Sequence, residues 1–183
     1  MSRYELFDRS RLRLRSLSER GHDLNWTDCL PLATADPPYD HPDFPALLVR
    51  ALQARRSGRP VLLMMGAHPI KLGLSRYIVD LIERGAVTHL AVNGAGIIHD
   101  FELALVGGTS EDVSRWIQCG QFGLWSETAR LNGIIEQAAG RQEGLGEAVG
   151  RAIQEGAFPH RDLSVAAAGW RAGVPVTCHV GIG

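Results

Sequence analysis

Three short segments with the character of strands recur along the 183-residue chain, and segments with helical periodicity separate them. They occupy 60–65, 87–92 and 174–180, and the first of them is a continuous apolar run. A continuous apolar run of this length is typical of a strand buried on both faces of a parallel sheet. Strands that alternate with helices predict right-handed βαβ crossovers. We therefore predict a single α/β domain, 1–183, with a mostly parallel sheet.

The predicted helices have start and stop signals at their ends. Asp43 is placed to cap the first helix, and Gly85 to end the second. Thr109 or Ser110 is expected to cap a short helix that begins after Gly107-Gly108. The longer predicted helices cover 44–56, 72–84, 100–106, 125–139, 144–155 and 162–172.

Residues 1–43 are expected to form a peripheral N-terminal segment. The stretch 35–42 is too rich in proline for regular structure. Within 9–15, arginines alternate with apolar residues, which favours a solvated strand face over a nucleic-acid-binding arm.

Charge and cysteine content exclude several classes of function. The formal net charge is −1, so no overall field attracts nucleic acid or anionic lipid. The 3 cysteines are widely spaced and form no C-x-x-C pair, which favours a reducing compartment. No apolar stretch suits a signal peptide or a membrane span. We expect a soluble, cytoplasmic protein that binds neither nucleic acid nor membranes.

Polar and small residues follow the predicted strands, where ligands bind in open parallel sheets. Glycines there let a ligand approach the backbone, and N–H groups at a helix start bind anions. Asn93-Gly94-Ala95-Gly96 is read as a tight turn, and it lacks the third glycine of the dinucleotide fingerprint. The residues at the three strand ends are Gly66, Ala67, His68 and Lys71; Asn93, Gly94, Ala95, Gly96, His99 and Asp100; and Thr177 and His179.

Three of these residues are candidates for catalysis: Lys71, His99 and Asp100. Lys71 is the sole lysine among 19 basic residues, and it could hold an anion or act as an amine. His99 could transfer a proton, with a carboxylate such as Asp100 orienting it. Alternatively, Asp100 only caps a helix. A further alternative is that His68, His99, Asp100 and His179 converge on a metal.

The stretch 66–105 resembles the deoxyhypusine synthase superfamily. The resemblance rests on Gly66-Ala67-His68-Pro69-Ile70-Lys71-Leu72-Gly73-Leu74-Ser75 and on Val87-Thr88-His89-Leu90-Ala91-Val92-Asn93-Gly94-Ala95-Gly96-Ile97-Ile98-His99-Asp100. The asparagine–glycine turn followed by His-Asp-Phe-Glu is similar to a bacterial branch of that superfamily. This resemblance implies a three-layer, Rossmann-like NAD-binding fold and a homo-oligomer, by analogy a tetramer.

The resemblance also implies roles for individual residues. Ala67, His68 and Lys71 correspond to the family's first NAD-contacting loop, and 93–95 to its second. Ile98 and His99 stand where the family has paired glutamates, which implies a substrate less cationic than a polyamine. The chain ends directly after its last strand, so a further C-terminal segment is expected to complete the site.

Together these inferences give one leading hypothesis and two alternatives. The leading hypothesis is an NAD-dependent enzyme of the transferase or lyase type that acts on a small amine or amino acid. Hydride abstraction would give an imine, with His99 as the proton shuttle. The alternatives are a metal-dependent hydrolase built on the histidines, and a non-catalytic nucleotide-binding or assembly protein.

Overall fold

A computed structural model describes residues 3–33 and 39–181. Of the proline-rich stretch 35–42, residues 35–38 therefore lie outside the described residues, and 39–42 form neither helix nor strand. In chain order the elements are β1 (Leu24–Asn25), α1 (Phe44–Arg56), β2 (Leu62–Met65), α2 (His68–Lys71), α3 (Ser75–Glu83), β3 (His89–Asn93), α4 (Gly94–Val106), β4 (Gly108–Thr109), α5 (Val113–Gln118), α6 (Arg130–Arg141), α7 (Leu145–Glu155), α8 (Val165–Ala172) and β5 (Val176–His179). Short 3₁₀ turns lie at 9–11, 17–19, 26–28 and 161–163.

The central sheet has three parallel strands in the order β2–β3–β5. Leu63 lies opposite Leu90 in the first pair of strands, and Leu90 lies opposite Val176 in the second. The predicted α/β class and parallel sheet are confirmed. A separate two-stranded antiparallel pair joins β1 to β4, with Leu24 opposite Thr109.

The sheet is packed against helices on the face that carries Leu63, Leu90 and Val176. On the opposite face, Leu62 is 55% exposed and Met64 is 77% exposed. The prediction that the first strand is buried on both faces is therefore wrong. β2 is one of the two edge strands of the sheet, and its side chains alternate between the core and the surface.

The largest difference from the predicted helices is the start of α4. This helix begins at Gly94, not at Asp100, because Asn93 caps it with a side-chain oxygen that accepts a bond from Gly96 N at 2.8 Å. The predicted tight turn at 93–96 is thus the first turn of a helix. The end predicted at Gly107 is confirmed, and that residue has φ +71°.

Two smaller predictions are corrected. The arginine-rich stretch forms a 3₁₀ turn at Arg9–Arg11 and an isolated bridge from Arg15 to Trp125, so it is not a strand. Asp112 caps α5, because its carboxylate accepts a bond from Arg115 N at 3.1 Å.

Part of the N-terminal segment enters the interior. Leu17, Arg20, Leu24 and Cys29 are all buried. The pairing of β1 with β4 places this segment beside the end of α4. Within 3–33 and 39–181, no helix has the length and apolar character needed to cross a membrane.

Candidate functional site

The carboxyl edge of the sheet brings two predicted loops into contact. After β2, the chain passes through Gly66 and Ala67 into α2. After β3, it enters α4 without an intervening loop. A Cβ atom built on Gly66 would lie 3.6 Å from Asn93 Nδ2, so the two connections meet.

Neither backbone conformation nor close packing explains why positions 66 and 94 at this edge are glycine. Neither Gly66 nor Gly94 has a positive φ. A Cβ atom on Gly94 would approach only the side chain of Val180, at an ordinary 4.0 Å. Gly96 differs, because its Cβ would lie 3.2 Å from Val92 Cβ. Gly96 therefore lets α4 pack closely on β3, whereas Gly66 and Gly94 leave open backbone at the surface.

Helix α2 packs against α4. Its residue Lys71 places a positive charge near His99. The His99 ring and Lys71 are partly buried, while His68 is exposed. Lys71 Nζ forms no hydrogen bond or ion pair with the described residues. Burial lowers the pKa of His99; Lys71, Arg20 and His68 lower it further, and Glu102 opposes them. His99 is therefore neutral near pH 7 and can accept a proton.

His99 is connected to a buried carboxylate through a threonine. Its Nδ1 lies 2.8 Å from Thr109 Oγ1, and that hydroxyl donates to Glu102 Oε2 at 2.8 Å. Arg20 binds both oxygens of Glu102, at 2.7 and 3.2 Å. Thr128 donates to Oε1 at 2.6 Å. The side chains of Glu102 and Arg20 are each only 2% exposed, so they form a buried ion pair. The carboxylate of Glu102 accepts four hydrogen bonds in all.

The partners of Glu102 outweigh the effect of its burial. Burial alone would raise the pKa of this carboxyl. The hydrogen bonds and charge of Arg20, together with the bonds from Thr128 and Thr109, leave the pKa below its ordinary value. Glu102 is therefore an anion that can only accept hydrogen bonds.

Asp100 has a different position from the one expected for a partner of His99. It is fully buried and accepts bonds from Ser164 Oγ (2.6 Å), Val165 N (2.8 Å) and Ala166 N (3.2 Å). These donors belong to the start of α8, so Asp100 ties α4 to the N-terminus of that helix. Burial raises the pKa of Asp100 to about 6. The carboxylate that connects to His99 is Glu102.

A cavity of about 540 Å³ lies on the other flank of α4. Gly94, Ile97 and Ile98 line it from the helix, and Val180 lines it from the end of β5. Thr128 lines it too, and so links this cavity to the carboxylate of Glu102. The carboxyl edge thus combines open backbone, an apolar cavity and a polar cluster, which are the components of small-molecule sites.

The histidines do not assemble as the metal alternative requires. The Nε2 atoms of His179 and His89 both lie 2.9 Å from Thr177 Oγ1. Over the described ranges, no three His, Cys, Asp or Glu side chains are grouped so that they could hold a metal ion.

Four residues of this network were absent from the predicted site: Arg20, Glu102, Thr109 and Thr128. The signal for Glu102 is its spacing from His99, because residues i and i+3 lie on the same side of a helix. Arg20 is 82 positions away from Glu102 in the sequence, and no local pattern indicates that pairing.

Comparisons with known proteins give a likeness of fold. No family model and no curated protein matches the chain. Among solved structures, the chain is similar to the apo structure of ArgZ, an arginine dihydrolase from the ornithine–ammonia cycle in cyanobacteria. The TM-score is 0.50 at 18% sequence identity, and the match covers 75% of this chain. The match spans only 17% of the ArgZ chain.

Proposed function

We propose that the chain is an NAD-dependent enzyme with a Rossmann-like, deoxyhypusine synthase-like fold, which acts on a small amine or amino acid. The observation that carries the proposal is the pair of open glycines, Gly66 and Gly94, at the carboxyl edge of the sheet. Open backbone at the carboxyl edge of a parallel sheet suits close approach by a dinucleotide. We propose that Gly66, Ala67, His68 and Asn93, Gly94, Ala95, Gly96 hold the cofactor.

NAD fits this edge because there is free space beside the backbone of Gly66 and Gly94. Each would accept a Cβ without a clash, so the fold itself does not require them to lack a side chain. The first turn of α4 adds backbone N–H groups and the positive end of a 13-residue helix, which suit a pyrophosphate. When bound, NAD would supply a hydride acceptor for the carbon that bears the substrate nitrogen.

The side chains have distinct proposed roles. His99 accepts the proton that the substrate nitrogen loses as the C–N bond becomes an imine. Lys71, with no partner among the described residues, binds an anionic group such as the carboxylate of an amino acid. An anion there also offsets the positive charge that Lys71 places near His99. Asp100 supports the site by fixing α4 against α8.

The likeness to ArgZ is compatible with this substrate class. That protein is an arginine dihydrolase, and arginine is an amino acid. Because the match spans a small fraction of ArgZ, an amino-acid substrate is a proposal for this chain and rests mainly on Lys71 and His99.

We also propose that the protein forms homo-oligomers. Several apolar side chains are exposed on α1 and on the outer face of β2, namely Leu47, Leu48, Val49, Leu52, Leu62 and Met64. A 13-residue helix with no buried residue gains little from packing within one chain. Light scattering at several protein concentrations tests this part of the proposal, and a monomer at every concentration contradicts it.

The enzymatic proposal is tested first by identifying what the protein carries. Protein purified without added ligand is denatured, and the released molecules are identified by mass spectrometry. It is then screened with amines and amino acids for NADH absorbance. Released NAD and substrate-dependent NADH support the proposal. Binding of NAD without turnover of any amine supports the non-catalytic alternative, and absence of both rejects the proposed function.

A further inference from the structure

Glu102 accepts hydrogen bonds from two threonine hydroxyl groups, and only one of these threonines contacts His99. Thr109 donates to Oε2 and Thr128 donates to Oε1, at 2.8 and 2.6 Å. Thr109 is fully buried, and its oxygen also lies 2.8 Å from His99 Nδ1. The two threonines therefore share a carboxylate but differ in their relation to the imidazole.

A hydroxyl group has one hydrogen, and this fixes the direction of each bond. An ionised Glu102 cannot donate, so the hydrogen of Thr109 points to the carboxylate. Thr109 Oγ1 can then only accept from His99, which requires a hydrogen on Nδ1. His99 Nε2 has no hydrogen-bond partner among the described residues.

We propose that Thr109, oriented by Glu102, is a positioning residue that holds His99 in the Nδ1–H tautomer and leaves the Nε2 lone pair free. The inference rests on the proposed function in one respect, namely that His99 is the proton acceptor. The tautomer itself is a property of the protein without cofactor or substrate. Failure of the enzymatic proposal would leave it intact.

The charged groups around His99 affect its protonation but not its tautomer. The charges that act on the ring are those of Glu102, Lys71, Arg20 and His68, and three of the four are positive when ionised. These cations favour the neutral ring, but they do not choose which nitrogen carries the hydrogen. Thr109 makes that choice, and a base with its lone pair at Nε2 is ready to accept a proton.

The experiment reads the tautomer directly. Ring ¹⁵N shifts and two-bond ¹H–¹⁵N correlations of His99 are recorded near pH 7.5 for the wild type and for Thr109→Val, without ligand. The wild type is expected to show a protonated Nδ1 and a bare Nε2. Thr109→Val, which keeps the shape and loses the hydroxyl, is expected to move most of the ring population to the Nε2–H form.

Matched variants separate positioning from general damage. Thr128→Val removes a hydroxyl from the same carboxylate without contact to His99, and it should leave the tautomer unchanged. Thr109→Ser should restore the Nδ1–H form. A wild-type ring with its hydrogen on Nε2, or an unchanged tautomer in Thr109→Val, overturns the proposal.

Turnover provides a second readout. If an amine substrate is found, Thr109→Val should reduce kcat/KM by roughly tenfold to a hundredfold, less than the loss of a general base. Thr109→Ser should recover most of it. Loss of kcat/KM in Thr109→Val with an unshifted tautomer would contradict positioning through the ring.

Discussion

The buried carboxyl of Asp100 makes the pH dependence of stability predictable in sign and size. Its pKa is raised from 3.8 to about 6 because burial outweighs three hydrogen bonds. The folded protein thus binds this proton more tightly than the unfolded chain. A raised pKa contributes stability that is fully present below about pH 4 and is lost as the pH rises through about pH 6.

The size of the effect follows from these two pKa values. Integrating the proton linkage between about pH 5 and about pH 7.5 gives a loss of roughly 1–2 kcal/mol in the free energy of unfolding. Asp100→Asn cannot titrate, so this variant lacks the loss. The stability of the wild type minus that of the variant should therefore fall by roughly 1–2 kcal/mol over this range.

Urea unfolding at both pH values measures this difference. Asp112→Asn is the control, because Asp112 is an exposed cap whose pKa is lowered from 3.8 and whose titration ends below the tested range. Its stability difference should stay constant. A constant difference for Asp100→Asn would refute the reasoning. If the stability of the wild type relative to the variant instead increased as the pH rises, the N-terminus of α8 would stabilise the Asp100 carboxylate more than burial destabilises it.

Four further predictions concern the polar network, the glycines and His99. Arg20→Met leaves the buried anion of Glu102 without its partner and should cost about 3–5 kcal/mol in chemical denaturation, whereas a cost below about 1 kcal/mol would contradict a buried ion pair. Gly96→Ala should destabilise by about 1–3 kcal/mol because its Cβ crowds β3, while Gly140→Ala on an open helix surface should stabilise slightly. His99→Gln should lower kcat/KM by about 10²–10⁴ with little change in the Kd for NAD, and an equal loss of binding would assign it to the cofactor pocket. The acid limb of the wild-type pH–rate profile should lie below 6.5, because the pKa of His99 is lowered from that value.

The sheet was predictable because its signals are local. The strand β2 is an apolar run, β3 has an apolar centre of Leu90, Ala91 and Val92, and the helices between the strands favour a parallel sheet. The exposure of one face of β2 was not predictable, since an apolar strand covered on one face and an apolar strand covered on both have the same sequence pattern. Only the packing of the helices on the sheet distinguishes them.

The start of α4 was missed because tertiary packing overrides local propensity. Glycine disfavours a helix interior, so Gly94 and Gly96 indicated a turn. Close packing of Gly96 on Val92 and the cap from Asn93 reverse that preference. The short spacing from the end of β3 to the helix then places Gly94 at the sheet edge.

The polar network of the site was only partly visible in the sequence. His99 was identifiable from its position near the end of a strand. Its partners were not, because Thr109 lies beyond the end of α4, Glu102 is connected to His99 only through Thr109, and Arg20 belongs to a segment that the sequence placed at the periphery. The partners of Asp100 were not predictable for the same reason, since the helix that it caps begins 65 positions later in the sequence.

The central claim is that open backbone at the carboxyl edge of the sheet holds NAD, and calorimetric titration tests it most directly. NAD is titrated into the wild type, Gly94→Ala and Gly140→Ala, with matched unfolding curves for all three. We predict saturable binding to the wild type and Gly140→Ala, and an affinity at least about tenfold weaker for Gly94→Ala, whose added Cβ enters open space without disturbing the fold. No binding to the wild type at about 1 mM NAD, or equal binding by Gly94→Ala, would contradict the account.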